Sequence, residues 1–420
     1  MLPKSSSASR SSVSAAKPPW AALTLMAVSV SLNYVDRGTL SMAGTNIQSD
    51  LHLTNYQLGL LLSAFFWTYA LCQTSYIAGW LADRLNVCWV LGVGVALWSA
   101  ATGAFGLAHS FAVMFALRLL LGAGECVAYP SYSRVIVNCF PEHRRGFSNG
   151  TIDAASKTGP AIGALLGGLL IASVGWRMFF VVLGAAGLVW LIPWIKWRPR
   201  SPSLKAGKRA ESAASMMDLL RLPDLWWTAL ALFCSNYFWY FLITWLPPYL
   251  EKERGFPKHK MAIVSALAYS AIAISSMASG WLSDLWIARG GSSTLVRKTF
   301  AGVGLGLSTV LVAVSVVDNE NVAMGILIFS CVAFGSYASN TFSISQTLAG
   351  PEAAGRWTGV QNGIGNMAGI AAPWFTGWVV DRSGRFYAAF LVAALAALVS
   401  GVTYVFAVGK IEPVRFGEKV

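Results

Sequence analysis

Apolar runs of 18 or more residues, separated by short polar connections, recur along the whole 420-residue chain. Each is long enough to cross a hydrocarbon core about 30 Å thick as a helix, which rises about 1.5 Å per residue. The runs predict twelve spans, at 20–42, 56–80, 88–108, 110–138, 147–172 and 176–197, then 225–250, 260–286, 298–317, 321–348, 357–380 and 386–409. An all-α membrane protein of two six-helix bundles follows. Composition agrees, with 55% hydrophobic and only 12% charged residues, where a soluble domain carries about a quarter charged. At about 35 residues per helix and connection, no length is left for a separate catalytic domain, so an enzyme is not expected.

The net charge of +13 is not the footprint of a nucleic-acid partner, which needs Lys and Arg clustered on one soluble face. Here they lie between apolar runs. With alternating connections, loops on the side of the N-terminus carry about twenty Lys and Arg, and the opposite loops about seven, the asymmetry of the positive-inside rule. Both termini are therefore expected to be cytoplasmic, with the chain integral to a bacterial inner membrane. The tails are 1–19 and 410–420, the bundles 20–197 and 225–409, and the polar stretch 198–224 the cytoplasmic linker between them. The apolar run after the Ser-rich N-terminus passes Leu32 without a small-residue cleavage site, so a retained first helix is expected. Cys72, Cys88, Cys126, Cys139, Cys234 and Cys331 fall in or beside apolar runs with no CxxC pair. They read as packing residues, and neither a metal nor any other cofactor is expected. No Gly-x4-Gly-Lys-Ser/Thr loop exists to bind the phosphates of ATP.

An internal repeat supports the halving. Gly79-Trp80-Leu81-Ala82-Asp83 ends the second span and Gly280-Trp281-Leu282-Ser283-Asp284 ends the eighth. Duplicated halves of this kind place a transport site at their interface near the bilayer midplane. At these residues the chain resembles the major facilitator superfamily, whose loop after the second helix reads Gly-x-Leu-Ala-Asp-Arg-x-Gly-Arg. Gly79, Leu81, Ala82, Asp83 and Arg84 match, whereas Asn86, Val87 and Cys88 depart from it. Asn33-Tyr34-Val35-Asp36-Arg37, Ser63-Ala64-Phe65-Phe66-Trp67-x-Tyr69, Arg118-x6-Glu125, Thr244-Trp245-Leu246-Pro247 and Gly365-Asn366-x-Ala368-Gly369-Ile370 resemble its anion:cation symporter family. The resemblance implies a secondary transporter, and for the bacterial branch import of a sugar acid with protons.

An ionisable side chain at the centre of a membrane helix costs roughly 2.5 to 3.5 kcal/mol, so each must be paired, wetted or useful. Asp36 and Arg37 lie in the first span; Arg118 and Glu125 lie seven residues apart on one face of the fourth; Asp153 and Lys157 lie one turn apart in the fifth. One reading makes these six groups three structural ion pairs. That use is inefficient, because desolvation offsets the Coulomb attraction of a buried pair. The functional reading gives Arg37 and Arg118 a substrate carboxylate, which suits the guanidinium fork, and makes Asp36 and Glu125 the proton carriers. The proton affinity of such a carboxyl group then depends on where the arginine points, which couples the two fluxes. The resemblance implies the same roles for Asp36, Arg37 and Glu125. Lys157, if it faces the cavity, binds a second carboxylate and favours a diacid.

The resemblance also implies substrate contacts for Tyr34 and Tyr69. Asn236 and Tyr240, Gln346, and Asn362 and Asn366 are polar residues of the seventh, tenth and eleventh spans that fit a polyol pocket or, alternatively, interhelical hydrogen bonds. Asp83, Arg84 and Asp284 are expected to brace the cytoplasmic gate. The expected partners are a small organic anion, protons and the lipid bilayer, the protein itself being a monomer. The rival readings are a drug or metabolite exporter on the same fold and a non-transporting sensor, for which the connections are too short.

Overall fold

The computed structural model describes residues 20–74, 81, 85–140, 142–199 and 216–414. Among them all regular structure is helical. In order the α-helices are α1 (Trp20–Leu51), α2 (Asn55–Thr74), α3 (Val87–Leu107), α4 (Phe111–Glu125), α5 (Ala128–Cys139), α6 (Glu142–Val174), α7 (Trp176–Trp197), α8 (Met216–Leu220), α9 (Pro223–Lys252), α10 (Lys258–Ala288), α11 (Ser293–Ser308), α12 (Glu320–Ser383) and α13 (Tyr387–Val402). A 3-10 turn, Thr309–Ser315, continues α11, and a π turn, Thr403–Ala407, continues α13. The expected linker and the first copy of the Gly-Trp-Leu-x-Asp repeat fall largely outside the described residues, and with them Asp83 and Arg84.

Three elements differ from the expected spans for identifiable reasons. The expected fourth span holds as one stretch, Phe111–Ile136, but its helical bonding is interrupted at Cys126 and Val127, because Pro130 has no N–H to offer the Cys126 carbonyl. Conversely, helical backbone runs without interruption through the tenth and eleventh spans as α12. Adjacent residues of α9 show that the chain nevertheless reverses within it. Ser235 bonds Tyr337 at 2.7 Å and Asn236 bonds the Gly365 carbonyl at 3.0 Å, yet a straight helix would set Tyr337 and Gly365 about 42 Å apart. Lastly, α1 continues nine residues beyond the expected end at 42, through polar Thr45, Asn46, Gln48 and Asp50, whose partners lie on other helices.

Nine helices among the described residues are long and apolar enough to cross a membrane. The expected first, second and eleventh spans are not in that group; α1 and the stretch 357–380 are diluted by Asn33, Asp36, Arg37, Asn362 and Asn366. Asp36 and Arg37 of the candidate site thus lie on a helix less suited to lipid, whereas Arg118 and Glu125 lie within the apolar span Phe111–Ile136. Exposed tryptophans mark one membrane surface: Trp20, Trp89, Trp197, Trp226, Trp227, Trp281 and Trp286 all lie at helix ends on the side of the N-terminus, where amphipathic rings favour the headgroup region. Trp374 and Trp378 lie toward the opposite end.

The two halves repeat one another in contact as well as sequence. A buried Ser29–Tyr132 hydrogen bond of 2.7 Å ties α1 to α5, and the Ser235–Tyr337 bond ties α9 to α12 in the corresponding place. The halves meet along α2 on α12 and α6 on α10, with α1 against α9. The fold is thus an all-α membrane bundle of two pseudo-symmetric halves, with a cavity at their interface.

Candidate functional site

The site begins with two adjacent residues on α1. Asp36 and Arg37 are next to one another, so their side chains diverge by about 100° around the helix and reach different partners. The Arg118 guanidinium donates to Asp36 Oδ2 at 3.2 Å, and Arg37 donates to Glu125 Oε2 at 2.8 Å. Both pairs therefore run between helices. The seven-residue spacing puts Arg118 and Glu125 on one face of α4, as expected, but each pairs with α1. Glu125 is 0% exposed, Asp36 and Arg118 3%.

Local sequence explains the placement. Glu125 is the last residue of α4, held at the break that Pro130 imposes. Gly122, one turn earlier, lets α2 close in: a Cβ there would meet the Phe65 carbonyl oxygen at 2.2 Å. That approach brings the α2 aromatics Phe65 and Tyr69 to 4.5 Å and 4.9 Å from the Arg37 Cζ, while Tyr34 of α1 itself stands at 4.7 Å. Arg37 is thereby held by one carboxylate and three ring faces, each a cation–π contact that strengthens away from water.

Each ion pair is incompletely satisfied. Asp36 Oδ1, Arg37 Nε, Arg118 Nε, Glu125 Oε1 and the neighbouring Asn33 Oδ1 have no hydrogen-bond partner among the described residues. A purely structural buried pair requires its remaining polar atoms to be bonded to be worth keeping.

A narrow cavity with about 30 Å³ of free space lies against this cluster, room for about one water molecule and well below the 300 to 1,000 Å³ typical of small-ligand sites, so a ligand enters only as the walls separate. Tyr34, Arg37, Leu40, Leu62, Phe65, Phe66 and Arg118 line it from the N-terminal half, and Trp239, Tyr240, Ile243 and Thr244 from the C-terminal half. Both arginines reach the wall, and the carboxylates stand behind them. Among the described residues the C-terminal half contributes no charged side chain to the wall. An anion in the cavity therefore competes with Glu125 for Arg37 and with Asp36 for Arg118.

The remaining sequence candidates divide. Tyr240 lines the cavity and donates to Asn366 Oδ1 at 2.8 Å. Tyr69 packs behind the wall, stacked on Phe65, and Tyr34 accepts from Tyr129 at 3.4 Å. Asn236 donates to the Gly365 carbonyl, an interhelical bond away from the wall, and Asn362 is half-buried on α12. The side chains of Asp153, Lys157 and Gln346 lie outside the described residues. Asp284 is exposed at the end of α10, within electrostatic reach of Arg297 on α11. The sequence did not single out Trp239, Ile243 or the aliphatic wall; their only signal was adjacency to Tyr240, since apolar residues look alike whether they line a cavity or a core.

Known proteins place this arrangement. Residues 26–373 match the model of the Major Facilitator Superfamily. A probable galactarate/D-glucarate transporter of Bacillus subtilis is 28% identical over 426 residues, covering 94% of this chain and 93% of that protein. The D-galactonate transporter of Escherichia coli is also 28% identical, covering 96% and 99%. Among solved structures, a bacterial homologue of the human lysosomal transporter Spinster in an inward-facing, unoccupied conformation superposes with a TM-score of 0.77 at 20% identity, over 94% and 96% of the two chains. A twelve-helix bundle of two pseudo-symmetric halves, matched over most of its length by that family, belongs to the Major Facilitator Superfamily.

Proposed function

We propose that the protein is a proton-coupled symporter for a small organic anion, a sugar acid of the galactonate, hexuronate or aldarate type, working by alternating access. The observation that carries this reading is the sharing of Arg37 between Glu125 and the cavity. With Glu125 ionised, Arg37 is engaged and the site has little hold on an anion. A proton on Glu125 removes that competitor and frees the guanidinium for a substrate carboxylate. After release of the proton, Glu125 retakes Arg37 and weakens substrate binding. Asp36 and Arg118 form the second such pair, and Tyr240 with Asn366 offers hydroxyl and amide groups to the polyol. The related transporters of galactarate or D-glucarate and of D-galactonate support this substrate class.

In this reading 20–197 and 225–409 rock as two bodies about the cavity, with both termini cytoplasmic in a bacterial inner membrane. Importing an anion with more protons than it has negative charges carries net positive charge inward, and the membrane potential then adds about 2.3 kcal/mol per charge per 100 mV. The test is Glu125→Gln, which mimics the protonated residue. It is expected to preserve exchange of labelled for unlabelled substrate across the membrane and to abolish accumulation driven by a proton gradient. A Glu125→Gln protein that still concentrates its substrate would remove Glu125 from the coupling mechanism.

A further inference from the structure

On the face of the bundle opposite the termini, the two halves are joined by polar bonds. Thr45 on α1 donates to Glu251 on α9 at 2.5 Å, and Lys258 at the start of α10 donates to Asn46 at 2.6 Å. Lys252, at the end of α9, donates to both Gln48 and Asn55. All of these cross between halves, and all fall on the polar extension of α1 or the first residue of α2.

The start of α2 has a particular arrangement. The first N–H groups of any helix have no partner within it. In α2 a reciprocal cap handles some of them: Gln57 N–H donates to Thr54 Oγ1 at 3.1 Å, and Thr54 N–H to Gln57 Oε1 at 3.0 Å. This leaves the N–H groups of Asn55 and Tyr56, and both go to Asp381 near the end of α12. Asn55 N–H donates to Oδ1 at 3.0 Å and Tyr56 N–H to Oδ2 at 2.6 Å, while Asn55 Nδ2 also reaches Oδ1 at 2.8 Å. One half of the molecule thus caps a helix of the other with a carboxylate, where the helix dipole favours negative charge. The backbones must touch for this geometry: a Cβ on Gly377, one turn before Asp381, would meet the Asn55 carbonyl oxygen at 2.4 Å, and one on Gly59 the Pro373 carbonyl oxygen at 2.5 Å.

We infer that Asp381 is the latch of the outer gate: its carboxylate holds the halves together on the side opposite the termini, and its bonds to α2 must break before the cavity opens to that side. Asp381, Asn55 and Tyr56 are not fully buried, so water replaces the broken bonds and the latch can open reversibly. A capping box satisfies only the N-cap and N3 N–H groups and leaves those of N1 and N2 open; in α2 these belong to Asn55 and Tyr56, and Asp381 of the other half takes both. Asp381 acts on conformation and does not touch the cavity, so it is a positioning residue. The inference rests on the alternating-access reading, but its test does not need a substrate.

The test measures the separation of the halves directly. Spin labels at His109 and Asp318, both in exposed connections on the outer face of different halves, are placed in a full-length protein whose native cysteines are replaced, and their distance distribution is read by pulsed electron resonance in nanodiscs. Asp381→Asn and Asp381→Ala are expected to raise the long-distance population about three- to tenfold. Thr54→Ala/Gln57→Ala, which removes only the internal cap, is expected to leave the distribution unchanged. Unchanged distances in both Asp381 variants overturn the latch. So does an equal shift in the capping-box variant, which would make the effect one of helix stability. If the Asp381 variants open the outer side but no sugar acid binds any of these proteins, the latch stands and the substrate reading fails.

Discussion

Asp36 and Arg118 show how a buried pair is tested for more than structure. Removing one partner leaves the other charge buried and unpaired, which costs about 3 to 5 kcal/mol, whereas replacing both with apolar groups of similar size is often neutral. Asp36→Asn is therefore expected to lower the thermal unfolding midpoint in detergent, and Asp36→Leu/Arg118→Met to recover most of it. Transport is expected to be lost in both. Recovery of transport along with stability in the double variant would make the pair structural. Tyr240→Phe breaks only a neutral hydrogen bond to Asn366, of a kind worth roughly 0.6 kcal/mol in membrane proteins. Its unfolding midpoint is expected to stay close to the parent while the apparent substrate affinity falls severalfold, measured as KM for uptake. At this scale the sequence was informative wherever a residue was costly: Asp36, Arg37, Arg118 and Glu125 stood out because charge in a membrane span needs a reason. It said less about partners. Arg118 and Glu125 share a face of α4, but the pairing depends on how α1 turns its two neighbouring charges, which no spacing within α4 encodes.

Among helices, the closest approaches fall into two kinds. Some lie within a half, as where a Cβ on Gly184 of α7 would meet the Gly103 nitrogen of α3 at 2.4 Å; others lie between halves, as at Gly377 against Asn55. Small residues permit such contacts in membranes, where lipid provides no hydrophobic drive for helix association. The two kinds predict different outcomes. Gly184→Val has no alternative packing to move to and is expected to lower the yield of folded, monodisperse protein sharply, as read by size-exclusion chromatography. Gly377→Val is expected to fold normally and to hold the outer side apart, because an open conformation relieves the clash; a folding defect as large as that of Gly184→Val would contradict this. Apolar length and the polar connections made the helices legible in sequence. The break after Glu125 and the reversal inside α12 were less so. Pro130 signals the first only once its carbonyl partner is considered, and the second emerges only from contacts to Ser235 and Asn236 on α9.

For the whole molecule, the repeated Ser–Tyr bonds and the Gly-Trp-Leu-x-Asp motif describe one architecture used twice, with the charged residues of the cavity wall, among the described residues, all in one copy. The N-terminal half presents Arg37 and Arg118 to the cavity, and the C-terminal half presents Trp239, Tyr240, Ile243 and Thr244. The charged groups of the cavity wall thus sit on one half, and aromatic and uncharged groups on the other. The account turns on protons driving an organic anion through this interface. The most direct measurement is uptake of a panel of labelled sugar acids into proteoliposomes of the purified protein, with and without an imposed inward proton gradient. The account predicts that at least one sugar acid accumulates above equilibrium only when the gradient is present. Equilibration without gradient-dependent accumulation would contradict proton coupling, and absence of uptake for every carboxylate, with transport of cationic dyes instead, would contradict the assigned substrate class.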